Sequence, residues 1–94
     1  MDKRYDIAII GSGPAGISAA LNARIRNKDF IIFGNKNLTN KIVKAPKINN
    51  YLGFPNVTGE LLKEKFQEHL NTMNIEIVEE RINSVYAMGE YFAL

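Results

Sequence analysis

Tyr5-Asp6-Ile7-Ala8-Ile9-Ile10-Gly11-Ser12-Gly13-Pro14-Ala15-Gly16 is the stretch that decides the fold of this chain. Its first half is nearly continuous and apolar, with β-branched Ile7, Ile9 and Ile10. That pattern predicts a strand over 5–10 covered on both faces, as in a parallel sheet. The glycine run ends the strand. Proline is favoured at a first helical position, where its missing N–H has no partner in any case, so a helix is predicted from Pro14 to Asn27. Arg24, Arg26 and Lys28 gather at its C-terminal end, where the helix dipole favours positive charge. Asp29-Phe30-Ile31-Ile32-Phe33 predicts a second buried strand, so residues 1–33 read as a β-α-β unit with a right-handed crossover.

Beyond this unit the signals weaken. Residues 34–59 lack sustained periodicity and carry Asn35, Asn37, Asn40, Asn49, Asn50 and Asn56 with two prolines. That is a long loop, and long loops inside compact domains tend to be functional or disordered. Thr58 is placed to cap a helix over 59–73, whose Leu62, Phe66, Leu70 and Met73 share one face. A third strand is expected at 75–78. Two more, at 82–86 and 91–94, are joined by a turn around Met88-Gly89-Glu90. The last of them runs to the final residue without a cap, so the domain is expected to be incomplete, the first part of a discontinuous one.

Length and composition set the outer bounds. A chain of 94 residues makes one small domain or a piece of a larger one, and 46% hydrophobic with 23% charged residues is an ordinary globular balance. No apolar run approaches the ~18–20 residues of a membrane span, and no secretory signal precedes the first strand, so a cytoplasmic protein is expected. The absence of cysteine removes a disulfide framework, a thiolate zinc site and any dithiol within these residues. A net charge of +2 is too mild to argue for nucleic acid. The charge is nonetheless uneven: Lys36, Lys41, Lys44 and Lys47 stand without an acid over 34–55, whereas six acids and two lysines lie over 60–80. Such runs usually form solvated faces, although the basic loop could also face an anion.

Gly11-x-Gly13-x-x-Gly16 after a strand and before a helix is the dinucleotide-binding pattern. The first glycine permits the tight turn, the second lets backbone approach a pyrophosphate, and the third lets helix and strand pack closely. The helix N-terminus adds N–H donors and a positive dipole end. The acid that normally ends the second strand and bonds the ribose is absent, because that strand ends Phe33-Gly34-Asn35. Two readings stay open: Asn35 bonds the ribose as a weaker neutral partner, or the site tolerates a 2′-phosphate paired with Lys36. Ser12 has no histidine placed to activate it, so its hydroxyl is expected on phosphate. His69 stands alone, and no metal site or catalytic acid or base is expected in these residues.

The opening stretch, together with Asn50-Tyr51-Leu52-Gly53-Phe54-Pro55 and Thr58-Gly59, resembles the N-terminal FAD-binding segment of the low-molecular-weight thioredoxin reductases. The resemblance covers the whole chain. It implies a three-layer α/β domain of the FAD/NAD(P)-binding, Rossmann-like type, with helices on one face of a parallel sheet and a small antiparallel meander on the other. It also implies FAD held at Gly11, Ser12, Gly13, Pro14, Ala15 and Gly16, with Gly34 and Asn35 near the ribose, the Ile82 backbone at the adenine and Asn50 near the flavin. Lys41 stands where the family carries glutamine beside the flavin, and the family's glutamate after the second strand is Gly34 here. These departures resemble the pyridine-nucleotide-independent branch, which takes electrons from ferredoxin instead of NADPH. The full enzyme would be a homodimer passing electrons through FAD to a dithiol in another domain and on to thioredoxin. That dithiol location agrees with the absence of cysteine, since the larger disulfide reductases carry theirs soon after the second strand. Two alternatives remain from the residues: an NAD(P)-dependent dehydrogenase using the same loop, and a non-catalytic nucleotide-binding module.

Overall fold

The computed structural model describes residues 3–35, 48–49 and 51–94. Strand β1 (Ile7–Ile10) leads through the glycine loop into helix α1 (Pro14–Ile25), and strand β2 (Phe30–Phe33) returns parallel to β1. In register, Ile7 faces Phe30 and Ile10 faces Phe33. Helix α2 (Gly59–Thr72) follows, and strands β3 (Tyr86–Ala87) and β4 (Phe92–Ala93) close a short antiparallel hairpin. The predicted β-α-β unit is therefore present, with a parallel pair and a separate antiparallel pair.

The helix ends show why these segments stop where they do. Thr58 caps α2, its Oγ accepting the Leu61 N–H at 3.2 Å. At the other end of each helix an asparagine enters the left-handed region, Asn27 at φ 55° and Asn74 at φ 54°. Both ends form the same double closure. Asn27 N–H donates to the Arg24 carbonyl and Lys28 N–H to Ala23; likewise Asn74 donates to Asn71 and Ile75 to Leu70. Helix α1 thus ends at Ile25, two residues before the predicted boundary, because asparagine tolerates the turn that a continued helix forbids.

The core lies between the sheet and the two helices. Ile9 and Ile32 from the strands meet Ile17 and Ala20 of α1, Leu70 of α2, and Ile75 and Ile77. Leu62 and Leu70 are buried, while Phe66 and Met73 are half-buried beside them, as the helical spacing predicts. The 75–78 segment lies along β2 rather than forming a full strand. Val78 donates to the Ile32 carbonyl and accepts from Gly34 N–H, a single parallel bridge. Two other expectations need correction. The strand over 82–86 shortens and shifts to Tyr86–Ala87, and β1 is not covered throughout: Ile9 is buried, whereas Ile7 on the same face and Ile10 on the other are 38% and 53% exposed. Among the described residues the helices pack against the face of the sheet that carries Ile9 and Ile32. Among those residues, too, no helix is long and apolar enough to cross a membrane.

Candidate nucleotide site

The site begins where the β1–β2 ladder runs out. Gly11 N–H donates to the Phe33 carbonyl at 2.8 Å, and Gly11 then turns at φ +118°, a conformation L side chains rarely adopt. Gly13 becomes the N-cap of α1 and Pro14 its first residue. No side chain caps this helix and no acid sits in its first turn. Its N–H donors and positive dipole end are therefore presented to an outside acceptor. The remaining two glycines differ in what they do. A Cβ on Gly16 would overlap the Gly11 carbonyl oxygen and lie 2.9 Å from its carbon, so this glycine sets the helix-to-loop distance. A Cβ on Gly13 would meet nothing within 4 Å, so the loop is open on that side to an approaching group.

Beside the loop lies a cleft of about 540 Å³. Ile10, Gly11, Phe33, Gly34 and Asn35 form one wall, and Glu79, Glu80, Arg81 and Ile82 the other. Of the residues singled out from the sequence, the structure brings together the 11–16 loop, Gly34, Asn35 and Ile82. Lys41 and Asn50 lie outside the described residues, as does Lys36. The hydroxyl of Ser12 faces Asn35, accepting its N–H at 2.9 Å and donating to its carbonyl at 3.1 Å. A phosphate contact by Ser12 is therefore left to its backbone N–H. Gly34 has no space for a side chain, since a Cβ there would overlap Ser12 Oγ and lie 2.5 Å from Ser12 Cβ.

The opposite wall, Glu79 to Arg81, is absent from the sequence reading. It follows a lone strand bridge at Val78 rather than a periodic segment, and two carboxylates with one guanidinium look like ordinary surface charge until the chain folds. The ring centre of Tyr51 lies 5.5 Å from that of Phe66 on α2 and 6.1 Å from that of Phe54. His69 is an exposed residue in the last turn of α2, and its carbonyl accepts the Met73 N–H. No group of three or more potential metal ligands occurs among the described residues.

The sequence profile of the pyridine nucleotide-disulphide oxidoreductases matches residues 5–90. The chain is 41% identical over 92 residues to a thioredoxin reductase of Peptoclostridium acidaminophilum, covering 96% of this chain and 29% of that one. Among solved structures it is similar to a ferredoxin-flavin thioredoxin reductase from Clostridium acetobutylicum, with a TM-score of 0.93 and 69% identity across 97% of this chain and 32% of that one. A thioredoxin reductase from Streptococcus pyogenes gives a TM-score of 0.81 and 33% identity across 94% of this chain and 29% of that one. The resemblance read from the sequence is thus borne out, as is the α/β fold with its parallel and small antiparallel sheets. The chain spans less than a third of the length of these relatives.

Proposed function

This chain belongs to the pyridine nucleotide-disulphide oxidoreductase family, and we propose that it forms the N-terminal part, residues 1–94, of a discontinuous FAD-binding domain in a thioredoxin reductase-like flavoenzyme. One observation carries the reading: an uncapped helix N-terminus, opened by Gly13 and fixed by Gly16, stands at the end of a cleft sized for a nucleoside. These residues fit an adenosine with its pyrophosphate. The Gly11–Gly13 loop and the N–H groups of Ala15 and Gly16 hold the pyrophosphate, and Pro14 fixes the helix start without withdrawing a donor. Gly34 and Asn35 border the ribose, and the Ile82 backbone meets the adenine from the opposite wall. Lys41 and Asn50 serve the flavin end.

A bound flavin supplies two-electron redox chemistry, and the chain supplies position and charge. No side chain here acts as acid, base or redox thiol. The electrons leave through a dithiol carried elsewhere in the protein, with thioredoxin as acceptor. Ferredoxin is the donor we favour over NADPH, because identity to the ferredoxin-flavin enzyme is 69% against 33% for the streptococcal thioredoxin reductase. Glu79 and Glu80 at the cleft oppose a 2′-phosphate, which counts against a dehydrogenase using NADP but not against one using NAD.

The test is the visible spectrum of the full-length native protein under anaerobic conditions. Flavin bands that bleach with reduced ferredoxin and persist with NADPH are expected. Bleaching by NADPH alone would reverse the donor assignment, and a colourless protein that binds NADP would overturn the flavin reading.

A further inference from the structure

The β1–β2 ladder ends with the Gly11 N–H on the Phe33 carbonyl, and past that point the two strands part. One climbs through the glycine loop into α1. The other bends toward 78, with Gly34 N–H on the Val78 carbonyl at 3.1 Å. Ser12 joins them again. Its single hydroxyl accepts from Asn35 N–H and donates to Asn35 C=O, so it does for one residue what a paired strand would do. Ser12 is only 5% exposed, which shields both bonds from competing water.

Gly34 makes this bond possible. A Cβ at 34 would lie 2.5 Å from Ser12 Cβ and 2.9 Å from Ser12 N, and would overlap Oγ. Serine at 12 and glycine at 34 are therefore interdependent. With Ser12 seated as it is, a side chain at position 34 would have to displace it.

We propose that Ser12 is a positioning residue whose hydroxyl sets the separation between the phosphate-facing loop and the ribose-facing end of the cleft. The proposal rests on the nucleotide-binding reading above. A ligand that bridges both ends benefits from that preset separation, and a ligand that occupies one end does not.

The experiment uses flavin-free full-length native protein titrated with ADP and with adenosine, in the wild type and in Ser12→Ala. The clamp predicts that ADP binding weakens about tenfold while adenosine binding changes less than about twofold. Equal losses on both ligands, as a merely structural role would give, would overturn it, and so would no loss on either. Should Ser12→Ala fail to fold, Gly34→Ala strikes the same contact from the other side. Adding Ser12→Gly to Gly34→Ala then removes the colliding Oγ and Cβ, and should restore part of the folded fraction that Gly34→Ala loses. A double variant no better than the single one contradicts the interdependence. Wild-type protein that binds neither ADP nor adenosine would overturn the nucleotide reading, and this proposal with it.

Discussion

The helix-covered half of the molecule and the hairpin half are built on different terms. In the first, apolar side chains from distant parts of the chain close on one another: Ile9 and Ile32 from the strands, Ala20 from α1, Leu70 from α2 and Ile75 just beyond it. In the second, Tyr86, Met88 and Phe92 are all at least half exposed, and the outer face of β1 shares their condition through Ile10. The cleft proposed for the nucleotide sits between the halves, with Gly11 on one wall and Arg81 on the other. The close approach at Gly16 seats the glycine loop against α1, and the more exposed side borders the open volume. On the proposed function, the packed loop would meet the phosphates and the open side the nucleoside.

Substitutions can break or sharpen that contrast. The largest effect is expected at Leu70, which is 1% exposed. Leu70→Ala should cost about 2–5 kcal/mol by chemical denaturation of the full-length protein, since the cavity opens inside a closed cluster. A cost under about 1 kcal/mol would mean that the cluster is not the core. Gly16→Ala comes next, at about 1–3 kcal/mol, because its Cβ displaces backbone rather than a flexible side chain. It should also release the cofactor, read as flavin content of the purified protein. Retention of full flavin would show that the loop geometry is not what holds the phosphates.

How much of this was legible beforehand follows the same division. Strand, glycine turn, helix and returning strand are local patterns, and α2 announces itself through Thr58 and the spacing of Leu62, Phe66 and Leu70. The asparagine closures at Asn27 and Asn74 were not read, and periodicity alone ran α1 two residues past its end. The Ser12–Asn35 bond was not legible, because it joins residues 23 apart and depends on the space left at Gly34. Nor was the Glu79–Arg81 part of the opposite wall, which follows one bridge at Val78. Exposure of Ile7 and Ile10 escaped for a related reason: an apolar run signals a strand suited to two covered faces, but does not say which segment covers each.

Two smaller effects complete the contrast. Thr58→Ala should cost about 1 kcal/mol by removing the acceptor for the Leu61 N–H, and Thr58→Asn should restore most of it. On the hairpin side, the Arg4 guanidinium lies 4.3 Å from the centre of the Tyr91 ring, an exposed contact. Arg4→Ala should therefore cost only about 0.5 kcal/mol in a thermal melt. A cost above about 2 kcal/mol would show that the hairpin is tied down far more firmly than its exposure indicates.

The most direct test of the central claim is the identity of the cofactor that the full-length native protein carries. Denaturation followed by mass spectrometry of the released small molecule should yield FAD, whose adenosine and pyrophosphate are the groups this cleft and loop fit. Release of NADP without any flavin, or of FMN, which lacks the adenosine, would contradict the account.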